Sequence, residues 1–366
     1  MILHLSIDSS FIFGAIKQFE EYYPSNNQFI IQVSKSSNYD SETLSKEQNV
    51  HRLPLTKKKY IDQIVQFAVQ KECKYIFLHY LNELAAIIVD KVKSQIEVKV
   101  FWVFFGSDLY TIIDSRKKYN FDSFKINFYS VLLSGHTVNY NRNRFIQKLD
   151  YFCFWNEFDY SLLKENFNTK AQHKYFIYSN AIVLPNQLNY LGKKENQILI
   201  NHAASESGNH IEIINKIKHL NLLCNTDKLI IPLNYGSQKV REQVILFADL
   251  NFPNQVKGLL NYMEKQDYFN LISSCKVAIF GHDQQEAAAN IFYLIGNGTK
   301  VFLKSSNSIF HWLKIRGFEV FEFQEDLKIS ADLEELNQNL KEKNYYSYKK
   351  YFSKESEQEF MLNLLE

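Results

Sequence analysis

The polar residues that could do chemistry follow apolar runs of this sequence, and the first of them is a carboxylate. Residues 101–110 read FWVFFGSDLY, so Asp108 comes shortly after an apolar run that ends at Gly106. A carboxylate in this position could act as a general base or bind a substrate hydroxyl. It could equally cap a following helix, and the spacing alone leaves both interpretations open.

A second group of candidates lies in a loop of small polar residues after another apolar run. Residues 198–210 read ILINHAASESGNH, which predicts a strand, a loop and the start of a helix. Small side chains let backbone N–H groups at a helix N-terminus approach a phosphate. The GxxxxGK[ST] sequence of a P-loop is missing, and Asn209 could simply cap the helix. The candidate ligand-binding residues here are Asn201, Ser205, Ser207, Asn209 and His210.

Two further strand-like runs end in polar turns. Residues 230–236 supply Pro232, Tyr235 and Gly236, where Tyr235 could stack on a base or a sugar or belong to a plain turn. Residues 277–290 run from an apolar strand through GHDQQ into a helix. Carboxamides at a helix N-terminus suit a diphosphate or sugar hydroxyls. The candidates in this second turn are His282, Gln284, Gln285 and Asn290.

The elements that must position these residues alternate between strand-like and helix-like along the whole chain. The strand-like runs are mostly apolar on both faces, as in parallel sheets covered by helices, which predicts a doubly wound α/β fold. Ligands of such sheets bind beyond the carboxyl ends of the strands. The predicted strands are 2–7, 28–33, 75–79, 99–105, 151–155, 175–178, 197–201, 228–233, 276–280, 299–303 and 318–323. The predicted helices are 57–71, 83–94, 209–220, 237–249, 284–297 and much of 333–366.

A polar stretch at 185–196 divides the chain into two α/β halves. We expect an N-terminal domain over 1–185, joined by a C-terminal helix at 345–366, and a second domain over 193–335. The four cysteines are far apart and form no CxxC pair, so we expect buried thiols and no zinc or redox site.

The composition excludes several classes of protein. The chain has 366 residues, 46% hydrophobic and 22% charged, which is typical of a folded globular protein and not of a disordered one. A formal net charge of +2 gives no general attraction to nucleic acid. The apolar runs at 84–89 and 101–105 are too short to span a bilayer, and the N-terminus predicts a strand instead of a signal peptide.

One local region, residues 115–148, combines basic and aromatic side chains. Such a surface could dock on anionic lipid headgroups, or it could be an ordinary solvated face above a core. Its basic residues are Arg116, Lys117, Lys118, Lys125, Arg142, Arg144 and Lys148.

The order of these segments resembles that of bacterial TDP-N-acetylfucosamine:lipid II N-acetylfucosaminyltransferases, over about residues 75–325. The resemblance depends on five segments, in the family's order and approximate spacing: FWVFFGSDLY (101–110), ILINHAASESGNH (198–210), IPLNYG (231–236), DYFNLISSCKVAIF (267–280) and DQQEAAANIFYLIGNGTKVFL (283–303). The chain has Asp283 where family members carry an arginine, and His282, Lys304 or Arg316 could replace that cation.

The resemblance implies a GT-B fold, in which two Rossmann-like doubly wound domains face a central cleft. It implies that the C-terminal half binds a TDP- or UDP-linked sugar, that Asp108 faces the acceptor, and that no metal cofactor is needed. It also implies a lipid-linked saccharide acceptor at the cytoplasmic face of the inner membrane, with residues 115–148 holding the enzyme there. The alternatives are a non-catalytic nucleotide-sugar-binding module, or a glycosyltransferase that acts on a protein or a soluble glycan.

Overall fold

The computed structural model describes residues 1–33, 49–53, 58–106, 108–110, 112–113 and 144–366. These residues form two compact units, Met1–Ala181 with Gln358–Glu366, and Ile182–Glu357. Most of the basic and aromatic region at 115–148 lies outside the described residues. At its described end, Phe145 is fully buried and Lys148 forms a surface ion pair with Asp90.

The first unit is built on a parallel sheet of seven strands in the order β3-β2-β1-β4-β5-β6-β7. The strands are β1 (Ile2–Ile7), β2 (Asn27–Gln32), β3 (Val50–Leu53), β4 (Tyr75–His79), β5 (Lys99–Val103), β6 (Tyr151–Cys153) and β7 (Gln172–Lys174). Its helices are α1 (Ser10–Tyr22), α2 (Lys58–Gln70), α3 (Glu83–Lys93) and α4 (Glu157–Asn166).

The second unit is built on a parallel sheet of six strands in the order β10-β9-β8-β11-β12-β13. The strands are β8 (Glu195–Ile200), β9 (Lys228–Pro232), β10 (Val256–Leu259), β11 (Cys275–Phe280), β12 (Lys300–Leu303) and β13 (Phe321–Glu322). The helices are α5 (His210–His219), α6 (Gln238–Asn251), α7 (Lys265–Ser274), α8 (Ala288–Gly296), α9 (Ser308–Ile315) and α10 (Gln338–Phe352). A last helix, α11 (Lys354–Leu362), contains the point at which the chain returns to the first unit.

Both sheets reverse their strand order next to their first strand, between β1 and β4 and between β8 and β11. This is the doubly wound arrangement, and it confirms the predicted α/β fold class. The domain boundary falls after Ala181, and α10 belongs to the second unit. Of residues 345–366, which the sequence groups with the N-terminal half, Gln358–Glu366 belong to the first unit.

Burial of apolar strands on both faces explains why the sequence pattern identified most of the elements. All six residues of β11 are buried. The core of the first unit is aromatic, with Phe19, Phe29, Phe77 and Phe101 fully buried. The core of the second unit consists mainly of isoleucine, leucine and valine. Apolar burial of this kind supplies most of the favourable free energy of folding.

Three sequence expectations differ from the structure. Strands β3 and β10 were missed because their sequences, VHRL and VKGL, carry polar or small residues at partly exposed positions. The strand expected at 175–178 ends earlier, as β7, and Phe176 and Tyr178 instead pack into the core. Cys224 is exposed in a turn, whereas the other three cysteines are buried thiols.

In the described residues, no helix is long and apolar enough to cross a membrane.

A chain of buried polar side chains crosses the first unit. The amide nitrogen of Asn27 donates to the backbone carbonyls of Phe19 and Tyr23, so its oxygen accepts from His4 Nε2 at 3.1 Å. His4 Nδ1 is therefore the acceptor for His79 Nε2 at 2.9 Å. His79 Nδ1 then accepts from the Tyr178 hydroxyl at 2.9 Å. Each polar atom along this chain has a partner, which fixes β1, β2 and β4 against one another.

Burial lowers the pKa of His79 to about 3 from its ordinary value of 6.5, and lowers the pKa of His4 as well. In the unfolded chain, both imidazoles bind protons once the pH falls below about 6.5, while the folded protein keeps them neutral. Their contribution to stability is therefore complete above that pH and is lost progressively as the pH falls towards the folded values.

We expect His79→Gln to flatten this pH dependence. Glutamine can still accept from Tyr178 and donate to His4, but it does not titrate. Urea unfolding measured between about pH 7 and pH 5 should give a shallower loss of stability in the variant, by up to about 1.4 kcal/mol per pH unit. Equal slopes in the two proteins would show that His79 binds a proton as readily in the folded state as in the unfolded chain.

Candidate functional site

The predicted ligand-binding residues of the second unit converge on one edge of its sheet. Strands β8 and β11 are neighbours at the point where the strand order reverses, and α5 and α8 begin beyond their carboxyl ends. Open α/β sheets bind ligands at this point. The structure brings the loops at 201–210 and 281–290 together here, with the turn after β9 beside the first of them.

Two asparagines predicted to contact a ligand hold the loops together. Asn201 is fully buried in a left-handed backbone conformation; its side chain donates to Gly208 O at 2.7 Å and accepts from Gly281 N at 2.9 Å. Asn209 donates to Gly281 O at 2.8 Å and to the Asp283 carboxylate at 3.1 Å. Both amides are therefore positioning groups, whose hydrogen bonds set the distance between the two loops.

The turn after β9 docks on the same loop through close backbone contact. Ala204 N donates to Tyr235 O at 2.7 Å, and Ser237 N donates to Ala204 O at 2.8 Å. Gly236 has a φ of +110°, and a Cβ there would lie 2.3 Å from Ala204 O. Pro232 is buried at the end of β9, whereas the Tyr235 side chain is 76% exposed and open to stacking.

The two helices at this edge begin without a capping side chain. Asn209 and Ala287 precede α5 and α8, and both have left-handed backbones. In the described residues, the Asn209 side chain accepts no hydrogen bond from α5, and Ala287 has no polar side-chain atom that could cap α8. The first turn of α8 consists of Ala288, Ala289 and Asn290, whose N–H groups have no partner within the helix. Together with the partial positive charge of a helix N-terminus, these donors favour an anion.

Three histidines pack beside these helix starts. The His202 and His282 rings lie 5.2 Å apart, and His282 Nε2 lies 3.4 Å from Glu286 Oε2, a contact not aligned as a hydrogen bond. Four buried ring nitrogens have no hydrogen-bond partner among the residues that the structure describes: His202 Nδ1, His210 Nε2 and both nitrogens of His282. Burial lowers the pKa of His202 and His210 to about 4 and that of His282 to about 3, so all three are neutral near pH 7.

The remaining charges at this edge are mostly paired. Lys304 Nζ lies 2.6 Å from Glu212 Oε2 and 3.5 Å from Asp283 Oδ1. Burial alone would raise the pKa of Asp283, but a hydrogen bond from Ser306 and the charge of Lys304 bring it below its usual value. Arg316, another candidate to replace the missing arginine, lies with its guanidinium carbon 4.2 Å from the centroid of the Trp312 ring.

The candidate residues named from the sequence do not include Glu286 and Asn307. The Glu286 carboxylate accepts from the predicted Ser207 at 3.0 Å, and burial raises its pKa. Asn307 donates to the carbonyls of His282 and Gln284 at 3.1 and 2.8 Å, which anchors the predicted turn to the start of α9. The only sequence signal for Glu286 was its position just before the alanines of α8. Of the other predicted residues, Gln284, Gln285, Asn290 and Ser205 are partly buried at this edge.

In the first unit, Asp108 is completely enclosed. Its Oδ2 accepts from Trp102 Nε1 at 2.7 Å and from Leu81 N at 3.1 Å, and its Oδ1 accepts from Phe105 N at 3.1 Å. Burial raises the pKa of Asp108, and these hydrogen bonds oppose the rise. The contacts favour a structural role in the turn after β5, and its role as a base stays a prediction.

In the described residues, no group of three or more histidine, cysteine, aspartate and glutamate side chains is arranged to hold a metal ion.

We expect Gly236→Ala to be much more destabilising than Gly317→Ala. Both glycines have positive φ, but a Cβ at Gly317 meets nothing within 4 Å, whereas one at Gly236 meets a backbone carbonyl. Each alanine carries a conformational cost of about 1 kcal/mol, and only Gly236→Ala must also displace the loop after β8. Thermal unfolding measures the difference, and equal melting temperatures would show that the turn after β9 is not held against that loop.

Comparison with known proteins agrees with this architecture. A family model described as "4-alpha-L-fucosyltransferase glycosyl transferase group 56" matches residues 17–361. No curated protein sequence matches. Among solved structures, sucrose-phosphate synthase from Thermosynechococcus elongatus is 10% identical with a TM-score of 0.68, covering 100% of this chain and 98% of that one.

Two further structures have the same fold. A glycosyltransferase from Rickettsia africae is 13% identical with a TM-score of 0.67, over 100% of this chain and 96% of that one. The Anabaena protein Alr3699/HepE, in complex with UDP, is 11% identical with a TM-score of 0.68, over 100% and 99% of the two chains. The fold is that of GT-B glycosyltransferases. Since the family model spans nearly the whole chain, this protein is a glycosyltransferase that belongs to the 4-alpha-L-fucosyltransferase family, group 56.

Proposed function

We propose that this enzyme transfers a deoxy-amino sugar, such as N-acetylfucosamine, from a TDP- or UDP-linked donor to a lipid-linked saccharide. The observation that carries the proposal is the pair of helix N-termini, without capping side chains, where the strand order of the second unit reverses. A nucleotide diphosphate presents the anionic oxygens that such N–H groups bind. Membership of a fucosyltransferase family supports the class of sugar, and the UDP bound to Alr3699/HepE supports a nucleotide donor.

In the proposed reaction an acceptor hydroxyl attacks the anomeric carbon of the donor sugar. A new glycosidic bond forms, the bond from that carbon to the diphosphate oxygen breaks, and the nucleoside diphosphate leaves with the electron pair. The hydroxyl proton passes to a base. Since negative charge grows on the leaving diphosphate, oriented N–H groups at the starts of α5 and α8 would stabilise the transition state without a bound metal.

The proposal of a lipid-linked acceptor is supported by other observations. The resemblance to lipid II fucosaminyltransferases and the basic, aromatic composition of residues 115–148 support a lipid-linked saccharide at the cytoplasmic face of the inner membrane. A protein or soluble glycan acceptor is the alternative within the same enzyme class. A binding module without transfer is the alternative outside it.

We expect Ala289→Asp to weaken donor binding at least about tenfold, whereas Ala289→Asn retains it. Ala289 lies in the first turn of α8. The two variants have nearly the same shape, but only aspartate repels a diphosphate, and an acidic residue at a helix N-terminus does not destabilise the helix. Thermal shift with TDP, UDP, GDP and ADP measures binding, since a ligand at about 100 times its Kd stabilises by about 2.7 kcal/mol. Equal shifts in both variants would place the diphosphate elsewhere.

The Asp108→Asn variant distinguishes a structural role of that carboxylate from a role as the base in transfer. If Asp108 is structural, the variant loses about 1–3 kcal/mol of stability, because an amide nitrogen then faces donors such as Trp102 Nε1. Release of nucleoside diphosphate in the presence of a saccharide acceptor measures transfer. A variant with an unchanged melting temperature and no transfer would instead support Asp108 as the base.

A further inference from the structure

We propose that the cluster formed by His202, His210 and His282 takes up a proton when a diphosphate binds beside it. The enzyme would thus acquire the cation that neutralises its donor at the moment the donor arrives. This inference rests on the proposed function and adds how the same site accommodates the charge of the ligand.

Several nitrogens of the buried imidazoles are unpaired. His282 and His210 are almost completely buried, with 0% and 3% of their surface exposed. In the described part of the chain, both nitrogens of His282, Nε2 of His210 and Nδ1 of the partly exposed His202 have no hydrogen-bond partner. A buried polar atom left unpaired costs about 1–3 kcal/mol, so most buried polar atoms in native proteins are paired. Four such nitrogens at one place indicate a ligand that supplies their partners.

The histidine cluster lies at the starts of two helices. His282 and Glu286 lie in the turn that leads from β11 into α8, and His210 is the first residue of α5. The N-termini of both helices are therefore close to the imidazoles. Helix N-termini favour an anion, and a bound anion in turn favours the charged form of a neighbouring imidazole.

Permanent positive charge is scarce around the described histidines. The titratable groups that face the histidines from the neighbouring elements are Glu212 on α5, Asp283 and Glu286 before α8, and Lys304 after β12. Among these groups of the described residues, the one ammonium group, on Lys304, is already held by two carboxylates. A diphosphate entering this site meets more negative charge than positive charge unless a proton accompanies it.

The imidazoles can supply the missing charge because they are neutral in the free protein. Burial lowers the pKa of all three, and repulsion between them keeps the pKa of His282 and His210 low. A diphosphate offers a strong opposing effect, since an anion within hydrogen-bond distance raises the pKa of an imidazole. If binding raises a histidine pKa to neutrality or above, linkage requires the donor to bind more tightly as the pH falls.

Isothermal titration calorimetry of the full chain tests this directly. The probes are TDP-glucose and UDP-glucose, whose esterified phosphates do not titrate near neutral pH. Titrations at about pH 7, in two buffers of different ionisation enthalpy, report the protons exchanged on binding. We expect uptake of up to about one proton, and an affinity that falls up to about tenfold per pH unit between about pH 6 and pH 8.

Binding without proton uptake would overturn the inference and leave the proposed function standing. The absence of binding for both probes across the same pH range would overturn both.

Substitutions identify the group that takes up the proton. His282→Asn should reduce the uptake and flatten the pH dependence of the affinity. His202→Asn, at a partly exposed position, carries the same test if the first variant does not fold. The matched control is His219→Asn at the other end of α5, where the imidazole is exposed and bonded to Asn215 O at 2.7 Å. We expect the control to behave as the wild type.

Glu286→Gln distinguishes the carboxylate from the imidazoles, because the pKa of Glu286 is also raised by burial. We expect this variant to keep the proton uptake. If Glu286→Gln abolishes the uptake and His282→Asn leaves it unchanged, the proton goes to the carboxylate and the histidine assignment is wrong.

Discussion

The site in the second unit depends on one buried amide. The Asn201 side chain accepts from Gly281 N and donates to Gly208 O, so it bridges the loops that follow the two neighbouring strands β8 and β11. Since Asn201 is fully buried, these bonds are protected from competing water. Gly281 allows the close approach, because a Cβ there would lie 2.4 Å from Gly208 O. The starts of α5 and α8 are held beside each other as a consequence.

The electrostatics of this edge follow from that spacing. Two helix N-termini attract an anion, yet Glu212, Asp283 and Glu286 lie close by and Lys304 is paired. A site that relied only on fixed charges would bind a diphosphate poorly. The buried histidines are neutral in the free protein and can gain a proton when the ligand binds. Because the same burial lowers their pKa, the stability of the folded protein falls in acid.

The sequence could predict the fold because strands buried on both faces leave long apolar runs, as in β11. It failed at β3 and β10, where polar residues mask the pattern. For the site, the spacing placed the candidate residues at one sheet edge, but it could not show which of their side chains hold the loops together. Asn201 is the example, since its role depends on the carbonyl of Gly208 and on the N–H of Gly281, which lies about eighty residues further along the chain.

The most direct test of the account is amide hydrogen exchange of the whole protein with and without a saturating nucleoside diphosphate. If the diphosphate lies at the switch point of the second unit, protection increases at the first turns of α5 and α8, at residues 210–213 and 288–291. The loop at 201–209 becomes protected with them. Protection confined to other segments, with these amides unchanged, would contradict the assignment of the donor site.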